Sequence, residues 1–370
     1  MVVWTVILAA GILQTANGLQ TDLLGVRAGL AAFPPWTIGV MMSGYYVGFS
    51  LGSILSPAIV RFLGHARAMA VGVTIAAVVV ALHGIFVSPV AWTIFRALCG
   101  FALSVSYVAC ESFINDRVDS GARGRVFSIY MVMQMAGMTL AQGLFLAASP
   151  ATLTPFVLCS ALFLISALPL SFLVRDPHAH APPLPFGIVR LFRLSPLGAI
   201  ATLLAGVSWS VLFTFGPVYA QRNGFDQRAI SFFMSSAMIS GALLQFPLGW
   251  LSDVVGRRRA IALLCAAAVA AALFGVWANA QQAWIDDVAA ALIGGLIFPL
   301  YALSAAHTND FVSPVNRVGA SAGLILLFGL GSVAGPLAAG IALTIGGSVG
   351  FFVVLSVTMF AGLATAIATR

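Results

Sequence analysis

The chain has 370 residues, of which 61% are hydrophobic and only 7% charged, and its net charge is +7. A soluble domain carries about 25% charged residues, so the composition excludes a water-soluble globular protein and makes lipid the main solvent. The basic residues are all arginine and almost all sit in short turns between apolar runs. That placement assigns the positive charge to membrane orientation and not to a nucleic-acid surface.

A helix that crosses a bilayer needs roughly 20 apolar residues. Apolar runs broken by glycine, proline or charge give twelve such segments: 2–19, 36–62, 68–87, 90–115, 124–147, 152–174, 195–220, 229–253, 259–279, 284–308, 317–345 and 348–369. No stretch alternates as a transmembrane strand would. The expected class is therefore an all-α integral membrane protein of twelve spans. The first run lacks a charged leader and is read as helix 1, not as a cleaved signal. Cys99, Cys110, Cys159 and Cys265 fall in apolar runs without paired spacing, so free thiols are expected.

With the N-terminus inside, thirteen arginines fall on the cytoplasmic side and Arg27, Arg222 and Arg228 on the other, while Arg96 lies within helix 4. Both termini are then cytoplasmic. The least apolar connection, Arg175-Asp176-Pro177-His178-Ala179-His180-Ala181-Pro182-Pro183, divides six helices from six. This gives an N-terminal bundle over 1–174, a cytoplasmic linker over 175–194 and a C-terminal bundle over 195–370. The linker histidines are read as part of a solvated, proline-rich stretch and not as metal ligands.

An internal repeat supports the division. Residues 40–68 set against 232–260 align Met42-Ser43 with Met234-Ser235, Gly64 with Gly256 and Arg67 with Arg259. The second copy contains the turn Gly249-Trp250-Leu251-Ser252-Asp253-Val254-Val255-Gly256-Arg257-Arg258-Arg259. Each of its charges would cost on the order of 3 kcal/mol in hydrocarbon, so the turn belongs at a membrane surface. Gly249 is expected to let two helices approach, and Gly256 to hold a left-handed backbone position. Asp253 is expected to accept hydrogen bonds from a neighbouring helix N-terminus. These three, with Arg257, are the candidate cytoplasmic gate.

Helix 4 carries Arg96, Gly100, Tyr107 and Glu111 within about 60° of one face, at roughly 100° per residue. A cation and an acid on one stripe of a spanning helix are expected to face protein or water, not lipid. Glu111 ahead of Asn115-Asp116 and His307 ahead of Asn309-Asp310 end helices 4 and 10 alike. They are read as the only acid and the only histidine inside the bilayer, close to its cytoplasmic side, and as the candidate proton-coupling groups. Helix 1 contributes Gln14, Thr15, Asn17 and Gln20, whose polar side chains need partners. Trp209 and Tyr301 offer flat faces for a solute. Met234 and Met238, one helical turn apart, form a soft pair suited to Cu(I), or simply core. Gly331, Gly335, Pro336 and Gly340 make a small-residue face with a kink, a hinge candidate between the halves.

The order Gly-x-x-x-Asp-x-x-Gly-Arg-Arg-Arg at 249–259 resembles the signature loop of the major facilitator superfamily, and Arg96 with Gly100 resembles its helix 4 pattern. Asn17-Gly18-Leu19-Gln20, Met42-Ser43-Gly44-Tyr45-Tyr46-Val47-Gly48, Glu111-Ser112 and His307 with Asn309-Asp310 are similar to the YcaD-type and CcoA-like branch. The resemblance implies two pseudo-symmetric six-helix bundles and a secondary transporter of the inner membrane, working by alternating access without ATP. It places solute binding on helices 1, 4, 7 and 10, with Gln14, Asn17, Arg96, Tyr107, Glu111, Trp209, Tyr301 and His307 as candidates. Its named solutes are riboflavin, taken first as a small organic molecule, and copper, the alternative through Met234 and Met238. The copper pattern is incomplete, since no His-x-x-x-Met occurs in the second half. A non-transporting assembly or sensor partner is the rival of another class. Enzyme chemistry is not expected, because no nucleophile–base constellation is present. The expected partners are the lipid bilayer and a small-molecule or ion substrate, with no cofactor and no nucleic acid, the protein acting as a monomer.

Overall fold

The structure, a computed structural model, describes residues 2–118, 120–168, 187–279, 282–313 and 317–369. Within them are thirteen α-helices and one short 3₁₀ turn, with no strand. In order, the helices are α1 Val2–Leu30, α2 Pro35–Leu63, α3 His65–Ile85, α4 Pro89–Arg117, α5 Ser120–Phe145, α6 Thr154–Ala167, α7 Ile188–Leu194, α8 Pro196–Arg222, α9 Gln227–Val255, α10 Arg257–Ala278, α11 Ala283–Asp310, α12 Arg317–Gly346 and α13 Gly350–Ala368. Apart from the seven-residue α7, they are the twelve expected segments. Eight stretches are long and apolar enough to cross a membrane, the last of them running over α12 and α13.

Two boundaries differ from the sequence reading in ways that matter. Helix α1 does not stop at its amides near residue 19 but continues to Leu30, which draws Asp22 into a helix interior. Gln14 Oε1 and Gln20 Oε1 accept from Tyr107 and Cys99 of α4, so these side chains serve helix packing without breaking the helix. Part of the expected linker, Ile188–Leu194, is itself helical and buries Leu191. The remainder of that linker, with His178 and His180, lies outside the described residues.

The chain forms two compact units: Met1–Ala32 with Gly44–Pro182, and Phe33–Ser43 with Pro183–Arg370. The first third of α2 therefore belongs to the second unit. There Ser43 Oγ donates to the Val333 carbonyl at 2.8 Å and the Trp36 amide to Thr344 Oγ1 at 3.1 Å.

In the first unit, small residues set the helix spacing. A Cβ on Gly48 or Gly100 would fall on the Ala97 or Tyr45 carbonyl, so α2 and α4 touch backbone to backbone. Lipid tails are as apolar as leucine, so such close van der Waals packing takes the place of a hydrophobic driving force. The core gathers Val6, Ala10, Val60, Met69, Cys110, Phe113 and Tyr130 from α1 to α5. The second unit is built alike, around Leu197, Ala205, Ile261, Leu264, Leu300 and Met359. Gly331 and Gly335 of α12 lie against α8 at Leu203 and Val207, and Ser332 Oγ donates to the Gly206 carbonyl at 3.2 Å. Further along the same face, a Cβ on Gly340 would fall on the Pro35 carbonyl and Gly39, so the stretch expected between the halves packs on α8 at one end and on the first third of α2 at the other.

Candidate functional site

The first unit contains the polar cluster that helix 4 foreshadows. Arg96 is 1% exposed, and its guanidinium carbon stands 4.4 Å from the centroid of the Tyr45 ring. Its Nε and Nη1 are sealed without a hydrogen-bond partner, so the ring face is its visible compensation. Gly100, one turn on, is what allows α2 to bring Tyr45 so close.

Next along the stripe, the Tyr107 hydroxyl donates to Gln14 Oε1 of α1. Phe49 packs 6.2 Å from the Tyr107 ring. Beyond it the Tyr130 hydroxyl of α5 donates to Glu111 Oε1 at 3.3 Å. Gln20 Oε1 accepts from Cys99 Sγ at 3.2 Å. All four stripe residues of α4 thus turn toward protein. Gln14, Asn17, Arg96, Tyr107 and Glu111 share one unit.

Trp209 and Tyr301 lie in the second unit, in a separate aromatic cluster. Trp209 stands 4.5 Å from Phe213, 4.6 Å from Phe298 and 6.3 Å from Phe328, and Phe328 also packs 5.3 Å from Tyr301. Rings 4.5–7 Å apart at steep angles form favourable edge contacts. Met234 and Met238 are buried, with Met234 Sδ filling the space that a side chain at Gly216 would need. Among the described residues no group of three His, Cys, Asp or Glu side chains is placed to hold a metal.

The expected gate residues gather around the α9–α10 turn. Gly256 has φ +89°, as the sequence requires, and caps α10 without a side chain. Asp253 pairs with Arg257 at 3.3 Å, and Arg257 Nε reaches Asp310 Oδ2 at 2.8 Å. Arg258 donates to the Ala366 and Ile367 carbonyls at 2.8 and 3.0 Å, satisfying the end of α13. Two expectations need correction here. Gly249 has nothing within reach of an added Cβ, so it does not mediate helix approach. Asp253, in the last turn of α9, pairs across the Gly256 turn with the side chain of Arg257, the first residue of α10, and not with a backbone N–H of that helix.

His307 lies in the second unit, close to these gate residues. It lines an open cleft of about 700 Å³ with Arg257, Arg258, Arg259 and Asp310, and packs 5.1 Å from Phe311. Within its own unit it keeps company with the gate residues. Other acids and a histidine are buried elsewhere in the described residues. Asp22 is 2% exposed, and Asp286 and His83 are fully buried. His83 Nδ1 bonds the Val79 carbonyl at 2.8 Å between Trp92 and Phe95. Asp286 sits in the first turn of α11, where the helix N-terminus favours a carboxylate, and accepts from Tyr219 at 2.6 Å. Asp22 was missed because the sequence reading ended α1 before it, and the signal available was a lone acid between two apolar runs.

Long apolar helices enclosing ionisable groups that face protein mark a multi-pass membrane protein with a functional polar interior. The family model described as Major Facilitator Superfamily matches residues 1–303 and 198–370, and the chain belongs to that family. The family is one of membrane transporters, not enzymes, and so is this protein. Among its relatives, an uncharacterized MFS-type transporter YcaD from Escherichia coli O45:K1 is 26% identical over 304 residues, covering 81% of this chain and 78% of the relative. The crystal structure of the nucleoside transporter NupG superposes with TM-score 0.82 at 17% identity, over 99% of this chain and 98% of the other. A bacterial homologue of the human lysosomal transporter Spinster, in an inward-facing and unoccupied conformation, superposes with TM-score 0.72 at 16% identity, over 98% and 94%. The last two likenesses establish the fold.

Proposed function

We propose that this protein is a secondary transporter that moves a small organic solute across the inner membrane by alternating access, coupled to protons. It acts as a monomer with both termini in the cytoplasm, the side to which most of its arginines would then fall. One observation carries the reading: Arg96, Tyr107 and Glu111 lie along the protein-facing stripe of α4, each with a partner from α1, α2 or α5. Keeping a cation and an acid inside a spanning helix is costly, and such groups mark solute or proton paths.

In this reading Asn17, Tyr45 and Arg96 give the solute hydrogen bonds and a ring face. A flat, polar molecule fits that chemistry, and riboflavin is one member of the class. Copper gains no support from Met234 and Met238, whose thioethers are core packing. Glu111 carries the coupling proton, and the Arg257–Asp310 contact closes the cytoplasmic end and reopens in each cycle.

The test is transport by Glu111→Gln as a function of pH. The expected result is exchange that persists while its dependence on a proton gradient is lost. Wild-type pH dependence in that variant contradicts the assignment. Thermal-shift measurements with flavins, nucleosides and copper against the purified protein sort the solute classes, and stabilisation by copper alone, lost in Met234→Ala with Met238→Ala, would overturn the organic reading.

A further inference from the structure

We propose that Asp22 is a second proton-binding site of this transporter, with the protonated carboxyl held against Gln142. The inference rests on the reading of the chain as proton-coupled, but the site itself can be tested without transport.

The geometry begins with α1 and α5. Small residues bring them together along their length: Gly137 lies against the Gly11 carbonyl, and a Cβ on Gly18 would crowd Ala141. One turn beyond Gly18, this close approach places Asp22 against Gln142. Both are 2% exposed, and Gln142 Nε2 donates to Asp22 Oδ2 at 2.6 Å.

No cation stands within ion-pairing distance of Asp22 among the described residues. The titratable and charged groups on the surrounding helices are engaged elsewhere. On α4, Arg96 lies over Tyr45, and Cys99 donates to Gln20. On α5, Tyr130 serves Glu111. On α6, Cys159 donates to the Ala16 carbonyl at 3.2 Å. On α3, His83 is tied to Val79. Arg27, further along α1 itself, makes no ion pair with it.

Asp22 also lacks the structural explanation that serves the other buried acid. Asp286 occupies a helix N-terminus. Asp22 lies deep inside α1, far from its first turn. A carboxylate sealed in an apolar bundle with one neutral amide as partner is expensive as an anion and inexpensive as an acid. The balance is simple. Oδ2 keeps its bond from the amide as a carbonyl oxygen, and the other oxygen takes a proton from water. The reverse step returns the proton and leaves an anion bonded to Gln142. No cavity is needed for such a ligand, only intermittent contact with water on each side of the membrane.

The experiment follows the carboxyl C=O stretch by infrared difference spectroscopy on the purified protein in lipid, as pH is lowered, in H₂O and in D₂O. The probe is the proton itself. The expected result is an isotope-sensitive protonated-carboxyl band present in the wild type and in Glu111→Gln but missing once Asp22→Asn, which keeps the shape and the Gln142 contact, is added to Glu111→Gln. The decisive comparison is made without the Glu111 carboxyl: if adding Asp22→Asn to Glu111→Gln removes no band from the Glu111→Gln spectrum, the proposal is overturned, as it is if Glu111→Gln shows no such band. Should Asp22→Asn fail to fold, Gln142→Leu provides the second arm. Removing the amide donor should move the band to higher frequency, and an unmoved band overturns the assignment. If the band behaves as expected but a pH gradient drives no solute uptake, the coupling reading fails while the proton site stands.

Discussion

The two halves of the chain build the same turn with different chemistry. Between α2 and α3, Gly64 takes φ +79°, and the next residue, His65, reaches Asp116 at 3.5 Å and Ser112 at 3.1 Å. Between α9 and α10, Gly256 takes φ +89°, and the next residue, Arg257, reaches Asp310 at 2.8 Å. In both, the glycine bends the chain, the residue after it opens a helix, and its side chain meets the aspartate that ends the helix two elements on. The backbone plan is thus duplicated, while the cation is not. A guanidinium is charged at every physiological pH and binds a carboxylate through a planar fork, whereas an imidazole changes charge near neutrality. One turn carries a permanent pair and the other a conditional one, and the burial differs too, with His65 sealed and Arg257 partly open.

The comparison can be broken most forcefully at the glycines. Gly64→Val and Gly256→Val each force a β-branched residue into a left-handed conformation, at about 1–3 kcal/mol. Unfolding of the purified protein in detergent should show losses of similar size. A loss at only one position would mean that the turns are not equivalent.

The cations come next. In Arg257→His the partner of Asp310 is charged only below about pH 6.5, the ordinary histidine value. Transport should therefore stay near wild type in acid and change as pH rises, by about fivefold if the contact contributes roughly 1 kcal/mol to one conformation. The reciprocal His65→Arg should flatten whatever part of the pH profile arises in the first turn. Activity measured across pH in both variants decides between a local and a global origin of that profile. Removing the carboxylates sharpens the contrast further. Asp310→Ala should alter transport more than Asp116→Ala at alkaline pH, with stability falling by under about 1 kcal/mol for so exposed a pair. The smallest effect is expected at Gly249, where Gly249→Ala meets open space and should change stability by less than about 0.5 kcal/mol.

What the sequence made legible follows from what produces a strong local signal. Apolar run length marks the twelve long helices, because crossing lipid leaves little latitude in length or composition. The α4 stripe was legible because helical period fixes which side chains share a face, and Arg96, Tyr107 and Glu111 turn toward protein together. Gly256 was legible because a charged turn between helices demands a left-handed residue. The failures concern tertiary neighbours. Nothing in the run around Gly249 says that no helix passes it. The spacing of Met234 and Met238 cannot tell a metal pair from packing against Gly216. His307 reads as a helix-end histidine, and only the fold turns it toward the arginines. Asp22 escaped because polar side chains at Gln14, Asn17 and Gln20 resemble a helix end until the partners of Gln14 and Gln20 on α4 are known.

The central claim is that a protein-facing polar path on α1 and α4 serves solute transport, and counterflow tests it most directly. Liposomes holding only the purified protein would be loaded with unlabelled flavin or nucleoside and given labelled solute outside. The account predicts transient accumulation of label by the wild type and its loss in Arg96→Gln and in Tyr107→Phe with Gln14→Leu, both folded. Label that fails to exchange for any solute in either class, or exchange unchanged in those variants, would contradict it.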